Sequence, residues 1–378
     1  MAPDRLRALR ALLAEAANEM IDPPILQPAE VFLDLAGEDI RRRLFVTTSA
    51  AGGELCLRPD FTIPVCLAHR DDGRPDEPVT YGYLGPVFRQ RRSGAAEFLQ
   101  AGVEWVGHDD TPATDAAALS LALRAAATLG LSRPQIRVGD ATLFSALVEA
   151  LPLSPAWQRR LIAWFGEPDR LSGAIAKLAG GQPLSSGKGP AGLSRALAGV
   201  EPQEAHRIVA DMLGAAGLTV VGGRSADEIA DRLRDTATLS AGDGDARAAA
   251  AVIERYLEIR APLTEAGDAV ATFAKHEGLD LTTALDAFAR RVDAFDAADV
   301  PLTDTNFAAD FGRRLDYYTG LVFELYDPAR PDAAQTIGGG RYDKLLSLLG
   351  APKPVPAVGF SVWLDRFGIE TGIAGDWS

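Results

Sequence analysis

The segment Phe98-Leu-Gln-Ala-Gly-Val-Glu-Trp-Val106 carries the clearest strand pattern in this chain of 378 residues. Successive residues of a strand point to opposite faces, so Gln100, Gly102 and Glu104 share one face and apolar side chains fill the other. The polar face is either the floor of a ligand site or a half-exposed surface with a glycine at a bulge. The pattern by itself favours the half-exposed surface, because most alternating strands have one solvated face.

Two arginines precede this strand. In Phe88-Arg-Gln-Arg-Arg92, Arg89 and Arg91 fall on the same strand face. Their charges repel each other unless an anion or an acidic side chain lies between them. The pair is therefore a candidate anion-binding site, with structural pairing to an acidic side chain as the commoner alternative.

Two later segments concentrate functional groups. Arg313-Arg-Leu-Asp-Tyr-Tyr-Thr-Gly320 places two guanidinium groups, a carboxylate and two phenols just before a strand-like run. Such a density is as consistent with a functional site as with a structural cluster. In Gly338-Gly-Gly-Arg-Tyr-Asp343, the three glycines either let the backbone approach a ligand closely or form a flexible turn.

The chain divides by composition into a strand-rich core and a helical insertion. An amphipathic helix is predicted from Asp4 to Met20, and mainly antiparallel strands are predicted from Phe45 to Gly107. From residue 144 to residue 298, nearly every segment has a helical pattern, and strand character returns after Phe307. We therefore predict a discontinuous core of residues 1–143 and 299–378, with a separate helical module of residues 144–298 between its halves.

The charge and the cysteine content of the chain disfavour several classes of partner and site. The net charge of −14 disfavours a polyanionic partner such as tRNA, because proteins that bind nucleic acid usually carry basic surfaces. Cys56 and Cys66 form no CxxC pair and have no histidine cluster nearby, so we expect buried, reduced thiols and neither a disulfide framework nor a metal site. No leader pattern and no apolar run long enough for a membrane span occur. A cytoplasmic protein without a cofactor is expected.

Six segments, taken in order along the chain, resemble class II aminoacyl-tRNA synthetases and specifically the histidyl-tRNA synthetase family. Each segment alone is a weak signal, but together they span most of the chain outside the helical insertion. The resemblance implies an α+β fold, in which an antiparallel sheet is flanked by helices, and a homodimeric core. The segments are Leu57-Arg-Pro-Asp-Phe-Thr62, Gly85-Pro-Val-Phe-Arg89, Phe98-Leu-Gln-Ala-Gly-Val-Glu104, Arg313-Arg-Leu-Asp-Tyr-Tyr-Thr-Gly320, Gly338-Gly-Gly-Arg-Tyr-Asp343 and Pro356-Ala-Val-Gly-Phe360.

Carried over from that family, the resemblance implies a pocket for free histidine. A zwitterion needs acceptors at its amine and a cation at its carboxylate, and a neutral imidazole needs one donor and one acceptor. Strand alternation alone would put Arg313 and Tyr318 on opposite faces, so their convergence requires a turn or bulge between them. The implied contacts are Asp60 and Gln100 for the ammonium group, Glu104 and Tyr318 for the imidazole, and Arg313 for the carboxylate, with Tyr342 nearby.

Two departures from the synthetase pattern change the functional expectation. Arg91 stands where the synthetases have a glutamate that helps hold the adenine end of ATP, although Arg366 matches the arginine of the third class II motif. Only twelve residues follow Arg366, too few for the anticodon-binding domain that follows this point in the synthetases. A core that keeps the histidine pocket but alters the ATP strand is similar to the regulatory subunits that accompany the short form of ATP phosphoribosyltransferase.

That second resemblance implies a protein without catalytic turnover of its own. Such a protein binds and activates a separate catalytic subunit and helps transmit feedback inhibition by histidine in the first step of histidine biosynthesis. Two alternatives stay open at this point. One is a truncated histidyl-tRNA synthetase that still forms histidyl adenylate, and the other is a scaffold protein that keeps the pocket only as a remnant.

Overall fold

The computed structural model describes residues 2–35, 41–73, 77–91, 94–181, 200–215, 230, 233, 246–313, 317–330 and 334–370. In these residues the strands form one nine-stranded sheet and one three-stranded sheet. The small sheet contains β2 (Leu26–Pro28), β3 (Val46–Thr48) and β4 (Glu54–Leu57). The large sheet contains β1 (Glu19–Met20), β5 (Val79–Phe88), β6 (Glu97–Val106), β7 (Gln135–Asp140), β8 (Arg260–Pro262), β9 (Thr305–Ala308), β10 (Leu321–Tyr326), β11 (Ile337–Arg341) and β12 (Ala357–Trp363).

The large sheet is mainly antiparallel. Its order is β1-β5-β6-β12-β11-β10-β7-β9-β8, and only the pairs β1 with β5 and β7 with β9 are parallel. The alternating segment from Phe98 to Val106 lies in β6, between β5 and β12. Helices cover the sheet, so the predicted α+β fold, an antiparallel sheet flanked by helices, is confirmed.

Helices α4 and α5 each begin after an aspartate whose side chain caps the first turn. Asp110 accepts a hydrogen bond from the backbone N–H of Ala113 at 3.1 Å, and Asp140 accepts one from Thr142 at 2.7 Å, which satisfies N–H groups that have no partner within the helix. The described helices are α1 (Ala2–Ala16), α2 (Ala29–Leu35), α3 (Thr62–Asp71), α4 (Thr111–Thr128), α5 (Ala141–Ala150), α6 (Pro155–Ala163), α7 (Pro168–Ala179), α8 (Pro202–Ala215), α9 (Ala246–Leu257), α10 (Leu263–Glu277), α11 (Thr282–Ala297) and α12 (Leu345–Leu348).

Helix α3 corrects the prediction of mainly strand structure between Phe45 and Gly107. Its first residues, Thr62-Ile-Pro-Val65, are β-branched or proline and have a strand-like composition. Proline is nevertheless tolerated in the first helical turn, where its missing N–H would have had no intrahelical partner. Burial of Ile63, Val65 and Cys66 then favours the helix, because tertiary packing overrides a weak local propensity.

The apolar face of β6 lies in the main hydrophobic core. Leu99, Ala101 and Val103 are fully buried there with Leu9 and Leu13 of α1 and with the apolar face of α4. The opposite face of β6 is buried as well, with both Gln100 and Glu104 only 1% exposed. The interpretation of β6 as a half-exposed strand is therefore wrong, because Phe61, Thr62 and Tyr342 contact its polar residues.

A buried ion network joins α11, from the predicted insertion, to the core. Arg291 of α11 donates to Asp115 of α4 at 2.7 Å and also to Asp140. Asp115 in turn accepts a bond from Arg341 at 2.8 Å. Phe288 and Phe295 of α11 belong to the same hydrophobic cluster as β6. The boundaries 1–143, 144–298 and 299–378 stay a prediction, but the last helices of the insertion pack directly on the core.

Candidate functional site

A cavity of about 630 Å³ opens on the polar face of β6. Its size lies within the range of about 300 to 1,000 Å³ typical of small-molecule sites. Every residue that the synthetase resemblance assigned to a histidine pocket lines this cavity, together with Arg89 and Arg366. The six residues, drawn from four separate parts of the chain, are Asp60, Gln100, Glu104, Arg313, Tyr318 and Tyr342.

Glu104 is the most heavily hydrogen-bonded of these residues. Its Oε1 accepts from the hydroxyls of Thr62 at 2.8 Å and Tyr83 at 3.3 Å, and its Oε2 accepts from Tyr342. Burial raises the pKa of the Glu104 carboxyl to about 7 despite these bonds, because desolvation disfavours the charged form. Glycine at position 359 is required here, since a Cβ atom would lie 1.5 Å from Glu104 Oε2.

Asp60 and Gln100 form one end of the cavity. The backbone N–H of Phe61 donates to Gln100 Oε1 at 3.1 Å, so the amide orientation is set by the backbone and the NH₂ group can donate to a ligand. Asp60 is 5% exposed and lies 4.0 Å from Arg89. Burial raises the pKa of Asp60 and the charge of Arg89 opposes that shift.

Arg313 and Tyr318 converge at another side of the cavity. Arg313 donates to the Tyr318 hydroxyl at 3.1 Å, and its Nε lies 3.5 Å from Glu324 Oε1. Both residues belong to the irregular connection before β10 rather than to a regular strand, which allows the convergence that strand alternation would forbid. Residues 314–316 of the same motif lie outside the described residues.

The glycine run 338–340 forms part of β11, so it is not a flexible turn, and Gly338 lines the cavity. All three glycines are buried within the sheet. A Cβ at Gly338 would lie 2.9 Å from the Arg313 guanidinium, and one at Gly340 would lie 2.8 Å from the Tyr318 ring. The missing side chains therefore make room for the two residues that converge over the strand.

Arg89 and Arg91, which were predicted as a possible anion site, lie near different acidic residues, Asp60 and Asp365. Arg89 lines the cavity and donates to the Pro59 carbonyl at 2.6 Å. Arg91 pairs with Asp365 at 2.5 Å and lies 3.5 Å from the centre of the Phe98 ring. An acidic side chain thus faces each arginine, which is the alternative to anion binding that the sequence left open.

Several lining residues carried no signal in the sequence. Thr62 reaches Glu104 only because α3 begins at that residue. Glu324 points into the cavity from β10, where it accepts from Tyr326 at 2.5 Å. Tyr83 does not line the cavity, but its hydroxyl donates to Glu104. Tyr83 lies opposite Gly102 in the register of β5 with β6, which the local pattern of the sequence does not reveal.

The cavity presents a set of groups suited to a small zwitterion. Carboxylates at Asp60 and Glu104 are acceptors when ionised, whereas Arg313 is a fixed cation and a donor. In the described part of the chain, no group of three or more His, Cys, Asp or Glu side chains is placed to hold a metal ion. Among the same residues, no helix is both long and apolar enough to cross a membrane.

Comparison with known proteins supports one family. The family described as histidyl-tRNA synthetase matches residues 4–186 and 205–367. A Rhizobium rhizogenes protein named ATP phosphoribosyltransferase regulatory subunit is 45% identical over 373 residues, which cover 98% of each chain. A protein of the same name from Sinorhizobium fredii is 43% identical over 375 residues, covering 98% of this chain and 94% of that one.

Solved structures agree on the fold. A Bacillus halodurans protein, titled ATP phosphoribosyltransferase regulatory subunit/histidyl-tRNA synthetase, superposes with a TM-score of 0.66 at 20% identity, covering 97% of this chain and 78% of that chain. The histidyl-tRNA synthetase of Nostoc sp. PCC 7120 gives a TM-score of 0.62 at 14% identity, covering 97% of this chain and 70% of that one. At these identities the similarity shows the fold alone.

Proposed function

This chain belongs to the family of ATP phosphoribosyltransferase regulatory subunits, which share the histidyl-tRNA synthetase fold, and we propose that its cavity binds free histidine as a regulatory ligand. The observation that carries the proposal is the position of charge in the cavity. The buried carboxylates of Asp60 and Glu104 line the same cavity as Arg313, whose side chain is 11% exposed.

The two ends of a histidine molecule have different requirements. Its ammonium group needs an acceptor, which Asp60 supplies, and its carboxylate needs a cation, which Arg313 supplies. The Gln100 oxygen has one lone pair left after accepting from Phe61 and can accept from the ligand's ammonium group beside Asp60. Alternatively, its NH₂ group can donate to an acceptor atom of the ligand. Glu324 contacts Nε of Arg313 and Tyr318 contacts its Nη1, and a guanidinium has five N–H donors, so it can donate to a ligand carboxylate as well.

The imidazole is best accommodated beside Glu104. A neutral imidazole carries one N–H donor and one ring acceptor. The Glu104 carboxylate accepts from the N–H, and the hydroxyl of Tyr318, which accepts from Arg313, donates its own hydrogen to the other nitrogen. Because Glu104 is held by Thr62, Tyr83 and Tyr342 before any ligand arrives, little conformational entropy is lost on binding.

The partner that we propose is the catalytic subunit of ATP phosphoribosyltransferase in its short form. On this proposal the chain activates that subunit, performs no chemistry itself, and transmits feedback by histidine. Histidine inhibits only if it binds one state of the complex more tightly than the other, and a difference of about 1 to 3 kcal/mol gives a useful response. The two free, buried cysteines are consistent with a reducing, cytoplasmic location.

A homodimeric core within the hetero-oligomer is part of the same proposal. Among the described residues, four of the six exposed large hydrophobic side chains lie between positions 20 and 46. Leu26 and Val46 lie on the two strands that flank β4 in the small sheet, and neighbouring exposed apolar side chains are typical of a protein interface. The four are Met20, Ile25, Leu26 and Val46. We do not include tRNA among the partners, because the net charge of −14 opposes binding to a polyanion.

Titration calorimetry with histidine tests the proposed ligand. We expect saturable binding of histidine, weaker binding of histidinol, which lacks the carboxylate that Arg313 would meet, and no binding of leucine. Histidinol binding as tight as histidine would contradict the role of Arg313. Absence of histidine binding to the folded chain would refute the proposed ligand and favour a scaffold that keeps the pocket as a remnant.

A further inference from the structure

We propose that Tyr83, which does not line the cavity, is the positioning residue that keeps Glu104 in its ligand-accepting state, with Ser361 orienting the Tyr83 hydroxyl. The inference rests on the proposed binding of histidine and adds a residue behind the site that decides how the site responds to pH. Neither residue is an implied ligand contact.

The strand register places these groups side by side. Gly102 on β6 pairs with Tyr83 on β5 and with Ser361 on β12. Because Gly102 has no side chain, the Tyr83 phenol lies across the strand. A Cβ at position 102 would be 2.4 Å from the Tyr83 hydroxyl oxygen. The absent side chain that made Gly102 conspicuous in the sequence therefore serves a tyrosine rather than the ligand itself.

Tyr83 is held rigidly. It is fully buried, and its ring stacks on Phe61 with centroids 4.5 Å apart and planes 8° from parallel. Phe61 directly precedes α3, whose first residue, Thr62, also donates to Glu104. The phenol has no room to adopt another position without disturbing the start of α3.

The Tyr83 hydroxyl has one hydrogen and three oxygen neighbours. They are Ser361 Oγ at 2.8 Å, the Phe360 carbonyl at 3.1 Å and Glu104 Oε1 at 3.3 Å. The carbonyl and an ionised carboxylate can only accept, whereas Ser361 can donate. When Ser361 donates to the Tyr83 oxygen, Tyr83 can donate its own hydrogen either to Glu104 or to the Phe360 carbonyl. Ionised Glu104 is the stronger acceptor, so Tyr83 donates to it and stabilises the charged form.

The rest of the environment opposes that charge. The pKa of Glu104 is raised to about 7, because burial and the negative charge of Asp60 raise it by more than the hydrogen bonds from Tyr342, Thr62 and Tyr83 lower it. A carboxyl with its pKa this close to neutrality is sensitive to the loss of any one donor. The other titratable groups that face Glu104 are Cys66 of α3, Tyr317 and Tyr318 before β10, and Tyr342 after β11.

The test compares Tyr83→Phe with Tyr256→Phe by measuring the dissociation constant for histidine from pH 6 to pH 9. Tyr256 is a matched control, because it is equally buried and, in the described residues, its hydroxyl has no hydrogen-bond partner. Loss of the Tyr83 donor raises the pKa of Glu104 in the free protein. In the complex, the imidazole of the ligand keeps the Glu104 carboxylate ionised. The substitution therefore raises the pKa of Glu104 by less in the complex than in the free protein.

We therefore expect the ratio of the Tyr83→Phe dissociation constant to that of wild type to rise as pH falls, reaching about threefold to tenfold. The ratio for Tyr256→Phe should stay close to one throughout. A Tyr83→Phe ratio that does not vary with pH overturns the inference, since a purely structural role lowers affinity equally at every pH. Failure of wild type to bind histidine refutes the proposed function instead.

Ser361→Ala provides a second variant with a smaller change in volume. It removes the group that directs the Tyr83 proton, so the ratio should rise with falling pH in the same direction and by a smaller factor. If Tyr83→Phe does not fold, as judged by thermal unfolding, a pH-independent ratio for folded Ser361→Ala overturns the inference.

Discussion

Replacing Glu104 by glutamine should remove the negative charge of the proposed acceptor for the imidazole with almost no change in shape. A hydrogen bond to a charged group contributes about 1.5 to 3 kcal/mol. At about 1.36 kcal/mol per factor of ten, Glu104→Gln should weaken histidine binding about 10- to 150-fold. Calorimetry at pH 8 is the appropriate assay, because there Glu104, with its pKa of about 7, is mostly ionised and the ring of free histidine is mostly neutral.

Glu254→Gln is the matched control for this substitution. Glu254 lies on α9 and is exposed, so the same chemical change there should leave the affinity unaltered. Equal affinity of wild type and Glu104→Gln at pH 8 would refute the assignment of Glu104 to the ligand. Lower affinity in both variants would show a general effect of lost charge.

The same variant tests the physical cost of placing Glu104 in the cavity. Its pKa rises from 4.5 to about 7 on folding, so between these values the folded state binds more protons than the unfolded state. Stability should therefore fall as pH rises through this window, by up to about 3 kcal/mol. Without ligand, Glu104→Gln should be more stable than wild type at pH 8 and comparable at pH 4. Urea unfolding at both values measures the difference, and a wild type that is the more stable protein at pH 8 would contradict the reasoning.

Three further predictions concern packing and chemistry. Gly359→Ala should abolish histidine binding, because its Cβ would overlap the carboxylate of Glu104, whereas Gly173→Ala, which meets open space in α7, should bind normally in the same calorimetry; normal binding by both would contradict the geometry. Asp115→Asn should lower the free energy of unfolding by about 3 to 5 kcal/mol, since it removes the buried carboxylate that bonds both Arg291 and Arg341, whereas the exposed Asp4→Asn should leave it unchanged; equal urea midpoints for the two variants would contradict this. The chain should show no histidine-dependent exchange of pyrophosphate into ATP, and measurable exchange would favour the synthetase alternative.

The sequence predicted those parts of the site that depend on alternation and on an ordered set of motifs. The period of two in β6 placed Gln100 and Glu104 on one face, and both line the cavity. It did not predict that this face is buried, because the groups that cover it, at the start of α3 and after β11, are distant in sequence from β6. Local pattern carries no information about which strands become neighbours.

Other features escaped prediction for identifiable physical reasons. The β-branched start of α3 has the composition of a strand. Only the burial of Ile63, Val65 and Cys66 in a hydrophobic cluster with Phe61 favours a helix. The convergence of Arg313 and Tyr318 depends on an irregular connection, whose geometry no periodicity describes. The role of Gly102 was visible as a missing side chain, but the group that fills the space, Tyr83, comes from the adjacent strand. Binding of histidine by the six cavity residues stays a prediction.

The most direct test of the account is the rate of phosphoribosyl transfer by a short-form catalytic subunit from the same organism, measured with and without this chain across a histidine titration. The account predicts that the chain activates the enzyme and that histidine reverses the activation. With Glu104→Gln, activation should persist while inhibition moves to higher histidine concentrations. A folded catalytic subunit whose rate is unaffected by the chain, at every histidine concentration, would contradict the account.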